Sequence, residues 1–175
     1  SSGVVRGGQS KKLKPILQIG AQIDLTWKAR LEEHLGSFQV ELIRSRTANV
    51  MNDRLLLAGM LSSATLINRF FPTGQVYKEF YKSSENLFDL LQFPDIWTLG
   101  YFKWELEFLE TLGFGLDLEK CAVTGSTEDL KFISPKSGRA VSEAAAGDWS
   151  SKLIPFPIAA SGQVNSLEDV LDGLK

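Results

Sequence analysis

The sequence predicts an α+β fold, in which a strand-rich front segment precedes a mostly helical body with one inserted β-hairpin. Three observations predict this class. Apolar and polar residues alternate in the front segment, apolar residues recur at helical spacing after residue 49, and a turn-rich stretch around the single cysteine interrupts the helical pattern. A content of 43% hydrophobic and 23% charged residues is typical of a globular chain. We therefore divide the chain into residues 1–48 and 49–175.

The front segment contains two or three predicted strands between Lys14 and Arg46. The clearest alternation places apolar residues at every second position: Ile23, Leu25, Trp27 and Ala29. A looser alternation covers residues 38–43, and Gly20 and Gly36 punctuate the two segments. Two or three strands are too few to bury a core by themselves. We therefore expect the remaining strands of this sheet to come from elsewhere, upstream of residue 1.

Three helices are predicted in the body. The first begins with Asn52 as its N-cap and extends to Phe71. The second stops before Pro94 and carries one continuous apolar face: Tyr77, Phe80, Tyr81, Ser84, Leu87, Phe88 and Leu91. The third begins with Asp95 as its N-cap and closes at Gly113. A capping box of a further short helix is predicted from Asn165 or Ser166 with Glu168 or Asp169.

Aromatic residues of the third helix are predicted to be core residues. Trp97, Trp104 and Phe108 recur at helical spacing, and such a stripe is far more often core than a platform for stacked bases. Trp27 differs because it lies among the basic residues of the front segment. For Trp27, both a core role and a ligand-facing role stay open.

Residues 121–142 are predicted to form a hairpin that is laid out like a zinc ribbon without its ligands. Structural zinc needs four Cys or His donors, usually as two close pairs. Cys121 is the only thiol of the chain, and residues 139–143 supply no donor. Residues 135–138 provide a turn at the tip. We therefore expect a hairpin that folds without metal, packed by apolar residues: Leu130, Phe132, Ile133 and Val141.

Charge is distributed unevenly along the chain. Residues 1–54 contain nine basic and five acidic residues, whereas residues 55–175 contain ten basic and sixteen acidic residues. No acidic residue precedes Asp24. A basic front segment joined to an acidic body favours contact between the front segment and a polyanion. A solvated loop is the open alternative for the first basic residues: Arg6, Lys11, Lys12 and Lys14.

Several functional classes find no support in the sequence. One cysteine leaves no internal disulfide and suits a reducing cytosol. No apolar run reaches the length of about 18 residues that a membrane span requires. Cys121 and His34 are single and lie in different segments, and neither residues 113–115 nor residues 7–12 complete a nucleotide-binding motif. We predict a protein that is not an enzyme and holds no cofactor, with a cysteine-dependent enzyme as a remaining alternative.

Several short stretches of the chain resemble the RecO family of bacterial DNA repair proteins. They are Gly8-Gln9-Ser10-Lys11-Lys12, Leu17-Gln18-Ile19-Gly20, Trp27-Lys28-Ala29-Arg30, Trp104-Glu105, Leu112-Gly113-Phe114, Leu116-Asp117-Leu118, Cys121 and Val141-Ser142. The resemblance covers nearly the whole chain, and its most specific part extends from Trp104 to Ser142. Many relatives carry Cys-x-x-Cys-Gly at the start of the hairpin, whereas Thr124 stands at the second position here. The resemblance therefore does not carry zinc over to this chain.

The resemblance implies a fold and a function. The fold is an OB-fold β-barrel, whose last strands would be residues 14–46, followed by a helical domain with an inserted zinc-finger-like hairpin that lacks zinc ligands. The function is to bind single- and double-stranded DNA, to anneal complementary strands and, with the partner RecR, to help load RecA onto DNA coated with single-strand-binding protein. Binding to the acidic C-terminal tail of that coating protein is also implied, as is a cytoplasmic, nucleoid-associated location in bacteria.

The predicted DNA contacts are the basic residues of the front segment: Lys11, Lys12, Lys14, Lys28, Arg30, Arg44 and Arg46. An OB surface binds strands through a basic groove and aromatic platforms. Lys28 and Arg30 are expected to share a strand face opposite Trp27, which makes them the first candidates. The competing function is a helical protein-interaction module without DNA binding of its own. Salt-dependent binding of single-stranded DNA separates the two, because only phosphate contacts release counterions.

Overall fold

The computed structural model describes residues 3–31 and 34–161, and the predicted capping box near the C-terminus lies outside them. It is an α+β structure with several helices and two small sheets, as predicted. The chain divides into two compact units, Ser1–Pro94 and Asp95–Lys175, so the first three helices belong with the front sheet. Among the described residues, no helix combines the length and apolar character needed to cross a membrane.

The first unit contains a three-stranded sheet. Its strands are β1 (Gly3–Val5), β2 (Gln22–Lys28) and β3 (Gly36–Arg44), in the order β1-β3-β2. Strand β2 runs antiparallel to β3, and β1 runs parallel to β3 on its other side. Alternation correctly predicted β2 and β3, whereas residues 6–20 form successive turns. Strand β1 is too short for its three residues to show a period.

One face of this sheet is apolar. Trp27 lies opposite Phe38, and Leu25 lies opposite Val40. A Cβ atom at Gly36 would lie 2.2 Å from Nε1 of Trp27, so only glycine lets the indole pack this closely on the strand backbone. Trp27 is half-buried, while Leu25 remains 50% exposed. The described residues therefore cover this face only in part.

Three helices follow in the first unit: α1 (Thr47–Val50), α2 (Arg54–Phe70) and α3 (Lys78–Leu90). The prediction of Asn52 as N-cap is wrong by one residue. Asp53 holds the position, because its Oδ1 atom accepts hydrogen bonds from the backbone N–H groups of the second and third helical residues, at 2.9 and 3.1 Å. The apolar face of α3 is confirmed, since its buried residues belong to the predicted set: Phe80, Ser84 and Leu87.

Helix α4 (Pro94–Thr111) begins at the last residue of the first unit and lies otherwise in the second. Asp95 lies inside the first turn, so its prediction as N-cap is wrong; proline is favoured at the first helical position because it lacks the N–H that has no partner there. The aromatic core is confirmed: Trp97, Trp104 and Phe108 are 2%, 2% and 6% exposed. Gly113, with φ of +85°, ends the helical segment as predicted.

A second small sheet follows α4. Its strands are β4 (Leu130–Ile133), β5 (Ala140–Ser142) and β6 (Ile154–Pro155), in the order β5-β4-β6, and the short helix α5 (Glu143–Ala146) follows β5. Strands β4 and β5 pair antiparallel. Two 3₁₀ segments complete the unit: Gly147–Lys152 and Ile158–Ser161. A small core lies beside the sheet: Cys121, Val141 and Ala146, with Leu130, Phe132 and Leu153 packed against it.

Candidate nucleic-acid interface

The first basic group lies in the turns between β1 and β2. Lys11, Lys12 and Lys14 are all exposed there. Ser10 organises this segment, because its Oγ accepts a hydrogen bond from the backbone N–H of Leu13 at 3.2 Å and its carbonyl oxygen accepts one from the N–H of Lys14 at 3.0 Å. The turn therefore presents three ammonium groups within four residues.

The second basic group lies at the end of β2. Lys28 is the last residue of the strand, is exposed, and points away from the face of its neighbour Trp27, as predicted. Arg30 is also exposed but lies beyond the end of the strand. The prediction that both residues share one strand face is therefore wrong for Arg30, because β2 ends two residues earlier than the alternation suggested.

Arg44 lies at the opposite end of the same strand pair. It is aligned with Gln22, the first residue of β2, whereas Lys28 is the last. At a rise of about 3.4 Å per residue, a strand of this length separates its ends by roughly 20 Å. The predicted contact residues therefore do not form one cluster. A nucleic acid would have to extend along the sheet to reach both ends.

Arg46 is the one predicted contact that the structure buries. It is 5% exposed, its Nε donates to Oδ1 of Asp89 at 2.8 Å, and its Nη1 donates to the carbonyl oxygen of Gly20 at 3.4 Å. Arg44 donates to the same Asp89 oxygen at 2.7 Å but stays 55% exposed. Burial by itself would raise the pKa of Asp89, but the hydrogen bonds and charges of Arg46 and Arg44 hold it below its ordinary value. Arg46 thus connects the end of β3 to helix α3.

An apolar pocket that the sequence did not reveal lies in the same unit. Its volume is 370 Å³, and it opens between the start of β2 and the facing sides of α2 and α3. Apolar and aromatic side chains form most of its wall: Ile67, Phe71, Tyr77, Phe80, Tyr81 and Phe88. The available signal was the width of the apolar face on α3: of the three aromatic residues in this helix, Phe80, Tyr81 and Phe88, only Phe80 is buried.

Cys121 lies in a tight turn closed by a hydrogen bond from the N–H of Gly125 to its carbonyl oxygen. Its Sγ accepts hydrogen bonds from the backbone N–H and the hydroxyl of Ser142, at 3.3 and 3.4 Å. Burial raises the pKa of the thiol, but hydrogen bonds from Ser142 and Thr124 outweigh it and lower the pKa to about 6. In the part of the chain that the structure describes, no group of three or more His, Cys, Asp or Glu side chains could hold a metal ion. One thiol with hydroxyl neighbours does not fit the donor set of structural zinc.

The fold and the exposed side chains together describe a mixed α+β protein whose first unit exposes a set of basic residues. Residues 51–170 match the family model described as recombination protein O C terminal. The chain belongs to the RecO family of DNA repair proteins, which confirms the resemblance seen in the sequence.

Individual relatives extend this match over almost the whole chain. This chain is 53% identical over 156 residues to the DNA repair protein RecO of Roseobacter denitrificans, and the alignment covers 89% of this chain and 65% of the relative. It is 52% identical over 174 residues to that of Cereibacter sphaeroides, covering 99% of this chain and 72% of the relative. It is 49% identical over 169 residues to that of a Ruegeria species, covering 97% of this chain and 70% of the relative. The chain therefore spans about two thirds of the length of these relatives.

Proposed function

We propose that this chain is a DNA-binding recombination mediator in DNA repair. In this role it anneals complementary strands and, with RecR, helps to load RecA onto single-stranded DNA; it acts by binding and not as an enzyme. The observation that carries the proposal is the similarity over 99% of the chain to a relative named DNA repair protein RecO. Family membership also supports two protein partners, RecR and the acidic C-terminal tail of single-strand-binding protein, and a cytoplasmic, nucleoid-associated location.

The proposal includes a division of the fold. In it, residues 1–48 supply the last strands of an OB-fold. Residues 49–175, a range that includes helices α1 to α3 of the first compact unit, are assigned to a helical domain with a zinc-finger-like hairpin that lacks zinc ligands. The half-covered apolar face of the first sheet supports the first part, since such a face is buried inside a closed barrel. The antiparallel pair β4 and β5 and the turn at Cys121 support the second.

Electrostatics favours the first unit as the DNA-binding one. Residues 1–94 contain twelve basic and eight acidic residues, whereas residues 95–175 contain seven basic and thirteen acidic residues. A phosphate backbone is thus attracted by one unit and repelled by the other. Six of the seven predicted contacts are exposed on the attracting unit: Lys11, Lys12, Lys14, Lys28, Arg30 and Arg44.

A double charge reversal tests the proposed interface. Lys28→Glu combined with Arg30→Glu should weaken binding of all DNA sequences alike, because phosphate contacts carry no base information. The slope of log affinity against log salt should become shallower by about 1.4 for single strands and about 1.8 for duplex. Lys120→Glu combined with Lys136→Glu is the matched control, since both lysines are exposed in the second unit and the net charge changes equally. The control should leave the slope unchanged.

The outcomes separate the competing functions. An unchanged slope in the folded Lys28 and Arg30 variant would move the interface away from this strand end. A loss that depended on base sequence would contradict an annealing role, which requires tolerance of every sequence. Salt-independent or absent DNA binding by the unaltered chain would favour the alternative, a protein-interaction module. Annealing itself is measured by fluorescence quenching between labelled complementary strands, with and without the chain.

A further inference from the structure

The 370 Å³ pocket of the first unit has flat, apolar walls. The ring centroid of Phe71 lies 4.6 Å from that of Tyr77 and 4.8 Å from that of Phe80, so these rings form one aromatic wall at the end of α2 and the start of α3. Ala21 lies on the strand side and is small enough to leave the space open. The volume falls within the range of about 300–1,000 Å³ that is usual for sites of small organic groups.

Polar groups of the pocket are concentrated around one carboxylate. Glu85 is half-buried in the lining, and it accepts hydrogen bonds from the side-chain amide of Gln22 and, at 3.3 Å, from the hydroxyl of Tyr81. The pocket therefore combines apolar walls with hydrogen-bonding groups at one side. A nucleobase has matching parts, since its π-faces stack on aromatic rings and its edge carries hydrogen-bond donors and acceptors.

Charge inside the pocket argues against an acidic occupant. Arg46 also lines the pocket, but its guanidinium already donates to Asp89 at 2.8 Å. Glu85 contributes a carboxylate to the same lining. An acidic group that entered would meet a neutralised arginine and a second negative charge, and its desolvation would find little compensation. A neutral, planar ring meets no such penalty.

Positive charge lies outside, at the mouth. An adjoining groove shares Tyr77, Tyr81 and Glu85 with the pocket and adds Lys78 and Lys82. Both lysines are exposed. Lys82 lies 3.7 Å from Glu79, but that pair is solvent-exposed and therefore weak. Ammonium groups at the rim and a neutral interior suit a ligand that is charged along its backbone and uncharged at its ring.

We propose that this pocket accepts one unstacked base of a single DNA strand, with Lys78 and Lys82 near the flanking phosphates. The inference rests on the proposed function, because it assumes that the chain binds DNA. It gives the helical part of the first unit a role in holding single strands, in addition to the basic residues of the sheet. Duplex DNA does not use the pocket, since its bases are paired and stacked.

The test compares two probes of equal length and charge, a 16-nucleotide dT strand and the same strand with abasic residues. The full chain should bind the dT strand at least about fivefold more tightly, since stacking of one base on an aromatic side chain is typically worth this much or more. Tyr81→Ala should remove most of that preference, and Tyr81→Phe should keep it because the ring remains. Tyr81 is 57% exposed, so neither change threatens folding. Ala21→Phe, which fills the pocket, should act like Tyr81→Ala.

Failure of this inference differs from failure of the proposed function. Equal, salt-dependent binding of both strands by the unaltered chain would overturn the base pocket and leave DNA binding intact. An undiminished preference in both Tyr81→Ala and Ala21→Phe would also overturn it. If the unaltered chain bound neither strand, that result would contradict both the proposed function and this inference. Capture of an apolar peptide by the pocket, with the dT preference unaffected by Tyr81→Ala, would assign the pocket to a protein partner instead.

Discussion

Trp104 is the largest fully buried side chain among the described residues. It lies on α4 and stacks on Phe108 one turn later, with ring centroids 5.6 Å apart. Its replacement by alanine should lower the free energy of unfolding by about 3–5 kcal/mol, because the cavity left behind adds to the lost burial. Chemical denaturation measures this cost.

Trp149→Ala is the matched control for this prediction. That indole is 65% exposed, and the Nζ atom of Lys152 lies 4.6 Å from its ring centroid. The control should cost less than about 1 kcal/mol. A Trp104→Ala protein with an unchanged denaturation midpoint and no DNA binding would contradict the core role and place Trp104 in the interface.

Cys121 should make stability depend on pH. The pKa of its thiol is about 6 in the folded chain, below its ordinary value of 9.0. As the pH rises, the folded state therefore loses this proton at a lower pH than the unfolded state does. The resulting stabilisation is complete above pH 9 and is lost as the pH falls through 6. Its size is at most a few kcal/mol, since one unit of pKa shift corresponds to about 1.4 kcal/mol.

Cys121→Ser provides the comparison, because a serine hydroxyl does not ionise in this range. The difference in unfolding free energy between the two proteins should grow from pH 5.5 to pH 8.5, measured by urea denaturation at each pH. Ultraviolet absorbance of the thiolate follows the ionisation directly. A difference that stayed constant across these pH values would show that the hydrogen bonds from Ser142 do not favour the thiolate.

At the scale of elements, Asp89 joins strand β3 to helix α3. Asp89→Asn removes the charge that Arg46 faces in a nearly closed environment, where its side chain is 7% exposed. We expect a loss of about 1–3 kcal/mol, toward the lower end because Asp89 itself is 38% exposed. Arg44→Gln is the control and should change stability by less than about 0.5 kcal/mol, since Arg44 is 55% exposed.

The pH dependence of this pair has a defined sign. The pKa of Asp89 is lowered in the folded chain, so its stabilisation is present at neutral pH and disappears as the pH falls through the folded pKa. Unaltered and Asp89→Asn proteins should therefore converge in stability under acid conditions. Persistent separation of the two at low pH would mean that Asp89 acts through packing and not through charge.

The hairpin of β4 and β5 should not depend on metal. Side-chain packing around Cys121, Val141 and Ala146 supplies its support, and a single thiol does not make a four-donor zinc site. Treatment with a strong chelator should leave the thermal midpoint unchanged, and elemental analysis should find no stoichiometric zinc. A midpoint that fell on chelation and recovered with added zinc would contradict this prediction.

At the scale of the whole molecule, charge separation limits how many phosphates the chain can neutralise. Six predicted contacts are exposed, which sets the slope of log affinity against log salt near 4 for single strands at about 0.7 per contact. The slope approaches about 6 when Lys78 and Lys82 also contact phosphates. Fluorescence anisotropy of a labelled strand between 50 and 300 mM salt measures it. A much steeper slope would show that lysines of the acidic second unit bind as well.

Local patterns decided much of the architecture. Helices α2 to α4 and strands β2 and β3 follow from periodicity, because side chains three or four apart share a helix face and alternate residues share a strand face. The burial of Trp97, Trp104 and Phe108 follows from the same rule. Charge separation and the similarity to a family are also properties of the sequence by itself, since neither needs a coordinate.

Long-range packing determines which groups meet. Packing pairs the three residues of β1 with β3, and it brings Arg46 into hydrogen-bonding contact with Asp89. It also places Lys28 and Arg44 at opposite ends of a strand pair and leaves an open pocket beside α3. Each of these depends on contacts between residues far apart in the chain, which no local period encodes. The sequence therefore determined the elements and the sign of their charges, while the packing of elements determined which of those charges stay free for a partner.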